Sequence, residues 1–232
     1  MSEILDRPVK TFTIGFEDEE YDEAPFARDA ATLCHTDHHE RIVRPDALAI
    51  LPKLIQHYGE PYGDNSAIPT YYLSQYAREH VKMVLSGDGG DEVFGGYWQY
   101  MVAAEIVRPE HLPAWRRARR VMGNLARLVG ALPPRDLNPL QLWTQLMSVF
   151  TAKQRKSLWQ EPVGQSRAAP PSICDSYASS GEGEYISHMQ YIDLKNYLPY
   201  NILTKVDIAS MCHGLEARTP LLDHHVVELG AR

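Results

Sequence analysis

The chain has 232 residues, of which 44% are hydrophobic and 23% charged, and its formal net charge is −7. This composition is that of a globular protein with one large domain or one domain and a helical addition. The negative charge argues against general nucleic-acid binding. The absence of an apolar run of about 18 residues excludes a membrane-spanning helix.

The sequence shows neither the signal segment nor the cysteine pattern that is typical of secreted proteins. The sequence starts without the apolar region of a secretory signal, so none is predicted. Its three cysteines are far apart and odd in number, which makes a disulfide framework or a cysteine-based zinc site improbable: Cys34, Cys174 and Cys212. A reducing cytoplasm is the predicted location.

Strand and helix patterns alternate through residues 1–104. Strands are predicted at 9–16, 39–43 and 81–85, and helices at 24–34, 47–58, 66–79 and from residue 92 onward, with an interruption at Pro52. This alternation predicts an α/β fold with a parallel sheet flanked by helices, and residues 1–104 are its predicted extent.

From about residue 105 the strand patterns stop, and a mainly helical part is predicted for 105–232. Residues 160–184 are rich in Pro, Ser and Gly and predict a long surface loop. The basic stretch 115–120 is isolated in an acidic chain, so a solvated helix face is favoured over an RNA contact. The adjacent pairs His38–His39 and His224–His225 have no partner at ligand spacing, which argues against a metal role.

Residues 86–97 read Ser-Gly-Asp-Gly-Gly-Asp-Glu-Val-Phe-Gly-Gly-Tyr and follow the predicted strand 81–85. Glycines allow a ligand to approach the main chain closely. Asp88, Asp91 and Glu92 repel one another unless water or a metal ion lies between them. A strand that ends in such a turn predicts a ligand site at the carboxyl edge of a parallel sheet. The spacing matches neither a dinucleotide fingerprint, a P-loop nor a calcium loop.

This dodecapeptide closely resembles a signature of the asparagine synthetase family, usually Ser-Gly-Glu-Gly-Ser-Asp-Glu-Val-Phe-Gly-Gly-Tyr. It differs from the signature at Asp88 and Gly90. Further segments resemble the family in the family's order: 8–16, 21–23, 66–74, 194–199, 203–207, 210–211 and 214–223. The resemblance implies the synthetase domain of this family, with an ATP pyrophosphatase-like fold of the adenine nucleotide alpha-hydrolase type followed by a mainly helical part. Residues 105–185 carry no sharp motif.

The resemblance implies a glutamine-hydrolysing asparagine synthase, of which this chain is the synthetase portion. Aspartate and ATP give β-aspartyl-AMP and pyrophosphate, and ammonia then displaces AMP to give asparagine. Ammonia comes from a glutaminase domain expected on the full-length chain. Both steps develop negative charge on phosphate, so the implied cofactors are ATP and a carboxylate-bound Mg²⁺. No nucleic-acid or membrane partner is implied, and a homodimer stays open.

Several residues take roles from the resemblance. Asp91 is the implied Mg²⁺ ligand, and Ser86 and Gly87 match positions that contact the nucleotide. Ile14 matches a position that packs on adenine, although a plain core role fits it equally well. Asp88 stands in place of a glutamate important for forming the adenylate, and its side chain is shorter by one methylene.

A second group of family positions lies near the end of the chain: Lys205, Asp207, Glu216 and Arg218. A buried ion-pair network explains these four residues at least as well as substrate contact. Tyr200 and Ile208 stand where many family members have Asp and Arg, so the network is expected to be altered here.

Three family features are missing from the sequence: the glutaminase cysteine, the Ser-Gly-Gly-x-Asp-Ser pyrophosphate loop and the Lys-x-x-Leu-Arg motif with its catalytic lysine. The chain is therefore expected to be an internal piece of a synthetase domain, incomplete for the full reaction. Two alternatives remain, a related adenylating synthetase of the β-lactam synthetase or peptide-cyclising kind, and a non-catalytic fragment. The intact Ser86, Gly87 and Asp91 argue against the latter.

Overall fold

The computed structural model describes residues 2–17, 22–44, 46–107, 137–150, 154, 157–158 and 170–232. The basic stretch 115–120 and residues 160–169 of the predicted loop lie outside the described residues. The chain divides into two compact units, one of residues 1–87 with 201–220 and one of residues 88–200 with 221–232. The predicted domain boundary at residue 104 stays a prediction.

Helices predominate, and the strands are short. In chain order the elements are β1 Lys10–Gly15, α1 Ala24–Leu33, β2 Asp37–Ile42, α2 Ala47–Tyr58, α3 Ala67–Arg78, β3 Met83–Leu85, α4 Gly90–Phe94, α5 Trp98–Val107, α6 Pro139–Met147, α7 Pro171–Ser179, α8 Tyr185–Ile192, a π-helical segment Asp193–Leu203, α9 Thr204–Met211, β4 Glu216–Arg218, a 3-10 turn Pro220–Leu222 and α10 His224–Gly230. Within the described ranges, no helix has both the length and the apolar character that a membrane crossing requires.

The α/β class and the parallel pairing predicted from the sequence are confirmed in the first unit. β1 pairs with β2 in parallel, from Lys10 opposite Asp37 to Gly15 opposite Ile42. β3 pairs with β4, also in parallel. Among the described residues these strands form two sheets of two strands each, so the single broad sheet of the prediction is only partly realised.

Three secondary-structure predictions were wrong. α2 runs through Pro52 without interruption. Proline has no N–H to donate to the carbonyl of Leu48, but Leu48 is 83% exposed, so water can bond to that carbonyl instead. Helix α7 lies inside the predicted loop 160–184, because its prolines stand in the first turn, where proline favours a helix. β4 was missed because three residues, Glu216–Arg218, are too few to show a strand period.

Each unit has its own apolar core. In the first unit, Ile50 and Leu54 are four residues apart on α2 and pack against Tyr71 of α3 and Ala209 of α9. In the second unit the buried cluster joins α5, α6 and α8: Tyr100, Ala103, Leu142, Trp143, Met189 and Ile192. This second core supports the segment that carries the acidic residues of the signature.

Candidate functional site

The carboxyl end of β3 presents a serine hydroxyl and an unobstructed glycine. The Ser86 N–H donates to the Arg218 carbonyl at 2.9 Å, which completes the last pair of the β3–β4 ladder, Leu85 opposite Arg218. The Ser86 Oγ is buried and finds no hydrogen-bond partner among the described residues. A Cβ placed on Gly87 would meet no atom within 4 Å. A buried polar atom without a partner is rare, so Ser86 is positioned for a ligand.

Ile14 lies at the carboxyl end of β1 and is 9% exposed. It lines a cavity of about 1170 Å³ together with aromatic and apolar residues that include Phe12, Phe16 and Phe26. A cavity with such a lining suits a flat apolar ligand group. Ile14 therefore packs in the core and also borders the cavity, so both roles weighed for it from the sequence remain.

Asp88 and Asp91, in the second unit, have no partners in the described part of the chain. Asp88 is half-buried and Asp91 is exposed, and neither side chain makes a hydrogen bond or an ion pair with another described residue. Two carboxylates three residues apart without a positive partner are suited to bind a cation with oxygen ligands.

Two glycines fix the shape of this segment because side chains approach them closely. Gly89 has φ +90°, and a Cβ there would lie 2.2 Å from Cδ2 of Leu222. A Cβ on Gly96 would lie 2.0 Å from the Asp91 Oδ1. The Asp91 carboxylate thus occupies space that only glycine at position 96 leaves free. Close packing therefore favours glycine at positions 89 and 96 of the signature.

Hydrogen bonds fix both the side chain and the main chain of Glu92, and the sequence analysis had not predicted these contacts. It is 1% exposed, and its Oε1 accepts a hydrogen bond from the Tyr97 hydroxyl at 2.8 Å. Gln190 donates to the main-chain carbonyl oxygens of Glu92 and Val93 at 3.0 and 3.1 Å. The Glu92 Oε2 is buried and has no partner among the described residues. Burial raises the pKa of Glu92, and nearby Asp91 and Asp88 raise it further, against the lowering effect of the Tyr97 hydrogen bond.

A second buried carboxylate, Asp193, anchors the helices behind the signature segment. Its side chain accepts hydrogen bonds from the Tyr100 hydroxyl and, at 2.5 Å, from the Trp143 indole. Burial raises the pKa of Asp193 to about 6, although both hydrogen bonds act to lower it. Sequence reasoning missed this group, and the available signal was an aspartate between the apolar positions Ile192 and Leu194.

The four late family positions do not form the predicted buried ion-pair network. Glu216 and Arg218 pair with each other at 2.7 Å on β4, but both side chains are more than half exposed. Lys205 is buried in α9 and Asp207 is exposed, and neither forms an ion pair with a described residue. Tyr200 is 74% exposed. The proposed alternative for these four residues, substrate contact, stays a prediction.

The chain is similar in sequence to known asparagine synthetases along almost its whole length. The profile of the asparagine synthase family matches residues 1–232. The chain is 28% identical to asparagine synthetase (glutamine-hydrolyzing) 1 of Bacillus subtilis over 97% of this chain and 36% of that protein. It is 30% identical to a putative asparagine synthetase (glutamine-hydrolyzing) of Mycobacterium tuberculosis over 96% of this chain and 35% of that protein.

A third relative, putative asparagine synthetase (glutamine-hydrolyzing) 2 of Methanocaldococcus jannaschii, is 33% identical over 87% of this chain and 39% of its own length. The chain thus spans little more than a third of the length of these relatives. Because the family profile matches the chain from its first residue to its last, the chain belongs to the asparagine synthase family.

Proposed function

We propose that this chain is the ATP-using portion of an asparagine-forming ligase, in which residues 86–97 bind the magnesium complex of ATP. The observation that carries the proposal is the run of unpartnered polar groups directly after β3. Ser86 offers a buried hydroxyl, and Asp88 and Asp91 offer carboxylates without partners in the described part of the chain. Groups of this kind, next to glycines that leave the main chain accessible, suit a phosphate ligand and its cation.

The residues present fit Mg²⁺. Asp91 is exposed and offers hard oxygen ligands, and the Glu92 Oε2 is an orphaned buried oxygen on the next residue. Mg²⁺ binds through one or two carboxylates and keeps waters and substrate phosphates as its other ligands. When bound, the ion neutralises phosphate charge. In this proposal Asp91 is its direct ligand, and glycine at position 96 leaves free the space that the Asp91 carboxylate occupies.

The other residues of the chain position the substrates. Ser86 and Gly87 bind the nucleotide through the hydroxyl and the main chain, and Ile14 packs on the adenine ring. Asp88 supports formation of β-aspartyl-AMP from aspartate and ATP. Because its side chain is one methylene shorter than the family's glutamate, we expect this step to be slower than in a glutamate variant, Asp88→Glu.

The second step of the proposed reaction is the displacement of AMP by ammonia. We propose that the ammonia comes from glutamine hydrolysed by a glutaminase domain; the names of the relatives describe those proteins as glutamine-hydrolyzing. A cytoplasmic location and a homodimer stay proposals from the sequence. Two other functions compete, an adenylating synthetase that uses a larger carboxylic acid and a non-catalytic nucleotide-binding module.

Isotope transfer tests the proposed reaction. Aspartate labelled with ¹⁸O in its side-chain carboxylate is incubated with the full-length protein that contains this chain, together with ATP, Mg²⁺ and ammonia. We expect ¹⁸O in the phosphate of AMP, because the labelled oxygen bridges to phosphorus in the adenylate. Label from a larger carboxylic acid, and none from aspartate, would favour the related synthetase. Bound ATP without AMP from any acid would favour the non-catalytic module.

A further inference from the structure

Three consecutive residues at the start of α10 bring potential metal ligands together. Asp223, His224 and His225 each offer one ligand atom, and these atoms lie within 4.8 Å of one another. The two imidazole rings approach to 3.8 Å between centroids, at an interplanar angle of 41°. The sequence prediction that no ligand partner accompanies this histidine pair was wrong, because the partner is the adjacent aspartate.

The backbone of this group is held at both ends by the signature segment. Leu222 packs so closely on Gly89 that only glycine fits there, and Gly230 packs in the same way on Val93, where a Cβ would lie 2.4 Å from the valine side chain. The Asp223 Oδ1 accepts the His225 N–H at 2.9 Å, which restricts its carboxylate. Because packing already restricts the backbone, less conformational entropy is lost when the three side chains coordinate an ion.

The three potential ligand atoms are accessible to an ion from solvent. All three side chains are exposed, so an ion needs no buried path to reach them. Among the described residues, neither imidazole donates or accepts a hydrogen bond, and the only charged contact is the 3.9 Å approach of His224 Nδ1 to Asp223 Oδ1. Zinc at about 2.1 Å from each ligand in a tetrahedron would place these atoms about 3.4 Å apart. Small rotations of exposed side chains reach that spacing.

We propose that Asp223, His224 and His225 form a binding site for a divalent transition metal ion of the zinc class. Two imidazole nitrogens and one carboxylate oxygen are the ligand types that such ions prefer, whereas Mg²⁺ and Ca²⁺ take oxygen ligands. Three protein ligands leave a position for water or another molecule. The site differs in ligand chemistry from the magnesium site proposed at Asp91.

Zinc binding to the whole protein, measured by isothermal titration calorimetry in the presence of millimolar Mg²⁺, tests this inference. Two variants remove single ligands, His225→Gln and Asp223→Asn, and asparagine preserves the helix cap. We expect each to weaken one micromolar-range zinc site by at least about tenfold. The control is His57→Gln on α2, an exposed imidazole bonded to the Lys53 carbonyl, which should leave that site unchanged.

Two results would overturn the inference. The first is the absence of any zinc binding in the micromolar range by the unaltered protein. The second is binding that persists with equal affinity and stoichiometry in His225→Gln and Asp223→Asn, which would place the ion on other groups such as the exposed Cys34. Circular dichroism of both variants, expected to match the unaltered protein, confirms that a lost site reflects lost ligands.

Discussion

Replacing Asp193 with alanine is expected to lower the free energy of unfolding by about 3 kcal/mol, because it leaves two buried donors without an acceptor. Those donors are the Tyr100 hydroxyl and the Trp143 indole, in a core where Asp193 is fully buried. An unpaired buried donor costs about 1–3 kcal/mol, and relief of the carboxylate's own desolvation offsets part of the sum. Urea denaturation of the two proteins measures the difference.

The matched control, Asp193→Asn, keeps an acceptor oxygen but cannot ionise. The folded-state pKa of Asp193, about 6, lies above its ordinary value of 3.8. Its contribution to stability is therefore complete below pH 3.8 and is lost as the pH rises through 6. The unaltered protein should lose up to about 3 kcal/mol relative to Asp193→Asn between about pH 4 and 7. Parallel pH profiles of the two proteins would contradict the assignment.

Gly89→Ala is expected to cost about 2–5 kcal/mol of stability and to disturb the acidic segment. At φ +90° an alanine is strained by about 1–2 kcal/mol. Its Cβ would also overlap with Leu222, lying 2.5 Å from Cγ and 2.2 Å from Cδ2, and overpacking of this kind typically costs about 1–3 kcal/mol. Thermal or urea denaturation measures the loss.

Gly63→Ala is the control for Gly89→Ala, since a Cβ on Gly63 meets no atom within 4 Å. Its stability should change by less than about 1 kcal/mol, because only the entropy of the unfolded chain is affected. A double variant, Gly89→Ala with Leu222→Ala, should recover the part of the loss that comes from overlap and keep the part that comes from φ. Equal losses in the single and double variants would show that Leu222 is not the obstacle.

The elements predicted correctly from the sequence are those with a clear local pattern of apolar and polar residues. The strand Lys10–Gly15 and the helix Ala67–Arg78 were located within one or two residues, since each shows its own period. The acidic, glycine-rich turn after β3 was also evident, although turns of this composition are common, and its resemblance to the family signature marked it as a candidate site. The family resemblance, now confirmed, rested on the same local runs.

The contacts that hold the candidate site could not be predicted in this way. Tyr100 and Trp143 are 93 and 50 positions from Asp193, and their meeting depends on the packing of helices α5 and α6 with Asp193. Gln190 reaches the Glu92 carbonyl across 98 positions. A single sequence contains no periodic pattern that would show contacts between residues so far apart along the chain.

Errors of prediction also had physical causes in particular residues. Pro52 was expected to break α2, but Ile50 and Leu54 on either side of it pack in the core and hold the helix together. A buried network was one of two explanations offered for the four late family positions, yet among these four only Glu216 and Arg218 pair, two residues apart on one strand face. Charge alone does not show which side chains turn inward.

Magnesium-dependent binding of ATP, measured by calorimetry on the unaltered protein and on Asp91→Asn, tests whether residues 86–97 bind the magnesium complex of ATP. We expect binding that requires Mg²⁺ in the unaltered protein and an affinity at least about tenfold lower in Asp91→Asn, because the direct carboxylate ligand is lost. Asp175→Asn, which alters an exposed carboxylate on helix α7, serves as the control and should bind normally. Equal affinity of the unaltered protein and Asp91→Asn, or no binding of ATP at all, would contradict the account.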